Sequence, residues 1–199
     1  MPKLDAFKRT RFFQLCMAHP YALASGCGLL VLGAATGMST CAILARSGVI
    51  ADCSMRAAQA THLLGGFFRI ALFNLMLCCG VLSSAFQPSF LPLSCLCLAL
   101  KGFALGFAVK QLQLEYAWWG VVYGILGVLL PSFCMLTGMI FCFGYGTAQL
   151  RTLRKPETGR EKDGIHALQL CARLTVFLTI LAILLEGVAA QVLLRVLLA

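Results

Sequence analysis

Charge is scarce in this chain and mostly of one sign: 7 acidic residues stand against 16 lysines and arginines, with 12% of residues charged and 60% hydrophobic. A soluble domain needs less apolar material for its core and more charge for its surface, so a water-soluble globular fold is excluded. Long polar stretches are also missing. The largest are residues 1–19, Ala45 to Gly66 and Arg151 to His166, and none can fold independently, which leaves no room for a catalytic ectodomain. Histidine occurs only as His19, His62 and His166, all at the ends of apolar runs, and Asp5, Asp52 and Asp163 lie outside those runs. An intramembrane protease needs a nucleophile with its base, paired aspartates or a metal-binding helix within the bundle, and none of these sets is available.

What the chain has is apolar length. Pro20 to Leu44, Phe67 to Ala85 and Phe90 to Val109 each suffice to cross a bilayer, and longer apolar regions run from Trp118 to Leu150 and from Leu168 to Ala199. The expectation is one all-α integral membrane domain, residues 1–199, folded as a polytopic helix bundle. Pro131 divides the fourth region, and because proline lacks an N–H and breaks or kinks a helix, Trp118 to Leu130 reads as a re-entrant half-helix followed by a full span. Basic clusters at Lys3, Lys8, Arg9 and Arg11, and at Arg151, Arg154, Lys155, Arg160 and Lys162, belong on the cytoplasmic side. This gives five crossings in a multi-pass cell-membrane protein, N-terminus cytoplasmic and C-terminus extracytoplasmic, with six crossings as the alternative. The net charge of +9 sits mainly in these flanks, where it serves anionic lipid rather than nucleic acid.

Two N-terminal patterns have plainer readings. Basic residues before an apolar run suggest a signal peptide, and Leu23-Ala24-Ser25-Gly26-Cys27 faintly resembles a lipoprotein cleavage box. His19 and Pro20 interrupt the run, however, and it continues far past Cys27, so an uncleaved first span is expected. The 11 cysteines fall mostly within spans as small, polarizable packing residues, and their spacing matches no paired zinc motif. Asp52, Cys53 and His62 share the outer loop without forming a recognisable ligand set. No catalytic residue, metal or cofactor is expected.

The informative residues are the polar ones inside the apolar runs: Arg69, Asn74, Lys101 and Glu186. A charge at mid-membrane costs at least ~2.5 kcal/mol unless compensated. At 1.5 Å per residue, Lys101 lies ~16 Å in from Phe90 and Glu186 ~18 Å in from Leu174, so the two sit at similar depth and are expected to pair. The alternative is that they line an ion or proton path. Arg69, near the outer edge of its span, is expected to snorkel, while Asn74 can hydrogen-bond across helices. Gly102 and Gly106 offer a close-packing face, as do Gly33 and Gly37 on the first span.

Taken in order, these features resemble the stage II sporulation protein M family of Gram-positive endospore formers. The likeness runs through Asn74, Gly80, the turn from Pro88 to Pro92, Leu100-Lys101-Gly102-Phe103-x-x-Gly106-Phe107, the aromatic-led segment closing at Pro131 and the basic Arg151-Thr152-Leu153-Arg154-Lys155. Glu186-Gly187 in the last span fits as well. The chain departs from the family pattern where no amide adjoins Pro131 (Pro131-Ser132-Phe133) and where the link from Gln111 to Tyr116 is acidic and glycine-free. The resemblance implies a non-enzymatic membrane scaffold that positions cell-wall hydrolases, the stage II sporulation proteins D and P, for peptidoglycan remodelling during forespore engulfment. The competing expectation is a transporter or channel-like subunit built on the half-helix and the midplane charges.

Overall fold

The computed structural model describes residues 20–48, 63–153, 169 and 172–186, and their regular structure is entirely helical. In chain order these are α1 (Pro20–Arg46), α2 (Leu63–Phe86), a 3-10 turn (Pro88–Phe90), α3 (Leu91–Tyr123), a π-helical stretch (Gly124–Leu129) and α4 (Leu130–Leu153). A last helical segment, α5, covers residues 172–186. Four of the described helices are long and apolar enough to cross a membrane, and this is a membrane protein. Large apolar side chains such as Met76, Phe177 and Trp118 lie exposed around the bundle, the distribution expected when the surrounding solvent is lipid. Residues 1–19, most of the outer loop with its Asp52, Cys53 and His62, the basic segment after Leu153, and Gly187 onward lie outside the described residues.

Direction follows from which residues meet. Gly102 packs on Leu30 and Gly106 on Ala34; the numbers rise together, so α1 and α3 run parallel. The Ser94 hydroxyl donates to the carbonyls of Gly80 and Val81 at 3.2 and 3.3 Å, and Lys101 reaches back to Asn74, so α2 and α3 run antiparallel. Thr175 donates to the Gly138 carbonyl at 3.2 Å and Ser132 meets Glu186, which sets α5 antiparallel to α4. Leu77, Val81, Leu98, Met135, Met139 and Phe143 fill the core between these helices.

The α1–α3 seam is built from glycine. A methyl group added at Gly33, Gly37, Gly102 or Gly106 would fall on a backbone carbonyl of the facing helix, from Ala99, Phe103, Leu30 and Ala34 respectively. With no side chain on either face the backbones touch, and the dispersion lost by omitting side chains is recovered along the seam. The expected packing role of Gly102 and Gly106 thus has named partners.

The break in the fourth apolar region is not where proline suggests. The helix continues through Pro131, which is buried, and the chain instead reverses at Ala117, whose φ of 51° and ψ of −125° interrupt α3. From Trp118 the backbone returns along the arm it has just left: Gly120 lies against the Leu112 carbonyl and Gly124 within reach of Val109. Two physical effects account for this. In α geometry the Pro131 ring would strike the carbonyl of Gly127, but the π stretch containing Gly127 widens the ladder at that point. Glycine at 120 and 124 then lets the two arms close directly after the corner.

Candidate functional site: a buried polar centre

Four helices each contribute one polar side chain to a single point within the bundle: Asn74 from α2, Lys101 from α3, Ser132 from α4 and Glu186 from α5. The Lys101 ammonium donates to Asn74 Oδ1 at 2.7 Å. Asn74 Nδ2 donates to Glu186 Oε2 at 2.8 Å, and the Ser132 hydroxyl donates to Glu186 Oε1, also at 2.8 Å. Lys101 Nζ stands 3.8 Å from Glu186 Oε1, within ion-pair range but beyond hydrogen-bond length. The two charges are therefore joined chiefly through the Asn74 amide. Its orientation is dictated by its neighbours, because only the carbonyl oxygen can face an ammonium and only the NH2 can face a carboxylate.

Burial makes this arrangement consequential. Asn74 is 1% exposed, Ser132 0% and Lys101 4%, and the Glu186 side chain is 15% exposed. Among the described residues no buried side-chain nitrogen or oxygen lacks a hydrogen-bond partner. A charge-assisted hydrogen bond contributes more than a neutral one, and here each end of the ion pair holds one such bond to Asn74 while Ser132 supplies another to the carboxylate. Chemically the centre is a linked set of one cation, one anion and two dipoles.

Local sequence explains why these residues converge. Lys101 and Gly102 are adjacent and so point about 100° apart on the helix, which turns Gly102 to α1 and Lys101 to α2. Ser132 follows Pro131, at the point where the arm returning from Ala117 comes level with Lys101. On α5 the positions facing the bundle are Thr175, Thr179, Ala182 and Glu186, all small or polar and all buried or partly buried. Thr175 meets Cys142 Sγ at 2.9 Å, and Thr179 donates to Cys78 Sγ at 3.2 Å. Glu186 is thus one rung of a polar seam with Thr175 and Thr179.

Of the residues singled out in the sequence, Asn74, Lys101 and Glu186 are brought together here. Arg69 is not: it lies exposed on α2, five positions from Asn74 and on another face. Gly102 and Gly106 serve the α1 seam, and Pro131 adjoins the centre through its neighbour. Sequence reasoning missed Ser132, along with Thr175 and Thr179. One signal was available, since Ser132 breaks an apolar run at about as many residues from the Ala117 corner as Lys101, but using it required knowing where the corner lies. Cys41, Cys78, Cys97 and Cys142 are buried among the helices, whereas Cys27 and Cys79 face outward. Comparison with family models, with curated proteins and with solved structures finds no match to this chain.

Proposed function

We propose that this chain is a non-enzymatic membrane scaffold whose polar centre is a structural clamp joining four helices. The observation that carries this reading is the convergence of Lys101, Asn74, Ser132 and Glu186, one from each of four helices, on a single hydrogen-bonded chain, with Lys101 only 4% exposed. A group that binds a solute or relays an ion faces a water-filled cavity or pathway, whereas these four side chains bond to one another across the helices. The alternating helix directions favour five crossings, N-terminus cytoplasmic and C-terminus extracytoplasmic, with the arm from Trp118 and α4 forming one crossing in place of a re-entrant half-helix and a separate span.

Joined to the resemblance in its sequence, this scaffold would hold peptidoglycan-cleaving partners, the stage II sporulation proteins D and P, at the membrane during engulfment. Those partners would carry the hydrolysis, and this chain would contribute position. Affinity purification of the tagged full-length protein from sporulating cells is expected to recover both hydrolases, and reconstituted vesicles are expected to show no solute flux. Absence of the hydrolases together with measurable flux would replace the scaffold by a transporter. One observation favours that second reading: the π-helical stretch Gly124–Leu129 ends close to Ser132, and π turns recur at functional sites.

A further inference from the structure

We propose that the corner at Ala117 is an interfacial anchor, seating Tyr116, Trp118 and Trp119 in the phospholipid headgroup layer and thereby fixing the polar centre at the bilayer midplane. The inference rests on the chain's being a membrane protein and does not depend on its acting as a scaffold. Trp118 is 75% exposed, Trp119 65% and Tyr116 39%. In a soluble protein such exposure would call for a partner. Here depth identifies the surroundings.

The helical arms supply the ruler. The 3-10 turn Pro88–Phe90 interrupts the helix at one end of α3, with Phe86 and Phe90 exposed beside it. Polar residues begin at the other end with Lys110, which donates to Gln113 at 3.0 Å, and Gln111, which donates to Glu115 at 3.1 Å. From Phe90 to Val109 a helix rises about 28 Å, close to a hydrocarbon thickness of about 30 Å. Lys101 falls near the middle of that length. From Lys101 to Tyr116 the rise is about 22 Å, beyond a hydrocarbon half-thickness of about 15 Å but within the half-thickness of about 20–22 Å that includes the headgroups. The returning arm gives a similar distance, at most about 21 Å from Trp118 to Ser132, since the π-helical stretch Gly124–Leu129 rises less per residue. Two arms of one hairpin thus place the aromatic corner in the layer where tryptophan and tyrosine find both an apolar and a hydrogen-bonding environment.

The polar side chains of residues 110 to 115 support lipid headgroups as the occupant over an apolar protein surface, because they share this layer and are satisfied in water or among headgroups. The reversal itself fits the same place: a non-helical residue leaves backbone groups outside the α ladder, which is tolerated in the wet headgroup region and costly within the hydrocarbon.

The test uses an accident of composition: the chain contains only 2 tryptophans, both at the corner. Intrinsic fluorescence of the full-length protein in phosphatidylcholine vesicles therefore reports on this site alone. Spin-labelled lipid carrying its quencher near the glycerol end is expected to quench severalfold more strongly than lipid carrying it near the chain methyl. Trp118→Phe and Trp119→Phe should each retain that order. Stronger quenching from the chain methyl would overturn the proposal, since the corner would then lie in the hydrocarbon. Quenching by aqueous iodide without quenching by either lipid would overturn it by placing the corner in water. Protection from all quenchers would overturn it in favour of a covering protein, including a second copy of this chain.

Discussion

At the scale of single residues, Asn74 is the side chain on which the polar centre turns. It accepts from Lys101 and donates to Glu186, so Asn74→Leu, close in size but without polar groups, takes one hydrogen bond from each charge and leaves the 3.8 Å ion pair and the Ser132 bond in place. Leaving a buried polar group without its hydrogen-bond partner typically costs about 1–3 kcal/mol, and more when the group is charged, and that loss is expected as a fall in thermal stability in detergent, read by a thiol-reactive dye on the buried cysteines. Exchanging the charges is a subtler case. In a Lys101→Glu, Glu186→Lys double variant the Asn74 amide can turn over, presenting its NH2 to α3 and its oxygen to α5, and the Ser132 hydroxyl can accept in place of donating. The double variant is expected to recover most of the stability lost in each single one; a swap no better than its parents would remove the bridging role from Asn74. The depths of Lys101 and Glu186 were legible from counting along their apolar runs, because helix rise is constant. The bridge was not legible, since its geometry depends on which face of α2 meets α3.

At the scale of elements, the α1–α3 pairing is an unforgiving contact, with backbone against backbone. Gly102 and Gly106 rest on the carbonyls of Leu30 and Ala34, so Gly106→Leu forces the helices apart along their length and is expected to destabilise by more than about 1–3 kcal/mol, the usual cost of overpacking. A Leu substitution at Gly28, on the facing helix α1, which meets nothing within 4 Å, is expected to leave the melting temperature nearly unchanged and serves as the control. These glycine faces were readable in the sequence as pairs four residues apart. The hairpin corner was not. Helix breaks are announced by proline and glycine, yet here the proline lies within a helix that a π stretch accommodates and the reversal falls on an alanine at φ 51°. Without tertiary closure of Gly120 on Leu112, nothing in Tyr116-Ala117-Trp118 marks a turn. Because that backbone region favours glycine, Ala117→Gly is expected to raise stability by about 1 kcal/mol in the same thermal assay.

At the scale of the whole molecule, helix direction alternates through the bundle, and in the five-crossing arrangement Arg151 to His166 returns to the side of the N-terminus. Single cysteines in a cysteine-free background, placed near residue 158 and at the C-terminus, check this: the first is expected to resist an impermeant thiol reagent in intact cells and the second to react. Labelling at residue 158 from outside would reverse the arrangement. Membrane class and helical architecture were plain from composition because hydrocarbon sets the length of a span, whereas the joining of the arm from Trp118 to α4 depends on tertiary contacts that no local pattern announces. The connectivity of the polar centre also bears on how the protein is made. Asn74 precedes Lys101 by 27 positions, while Glu186 lies 112 positions after Asn74. During synthesis Lys101 finds its amide almost at once but waits for its counter-charge, on the order of ten seconds at ribosomal speed. Over that interval a nascent chain already inserted through α3 carries a lone cation in the hydrocarbon, eased by one asparagine. The neutralising carboxylate arrives only with α5, after α1 to α4 have emerged, so a chain truncated before α5 should be the form that membrane quality control recognises.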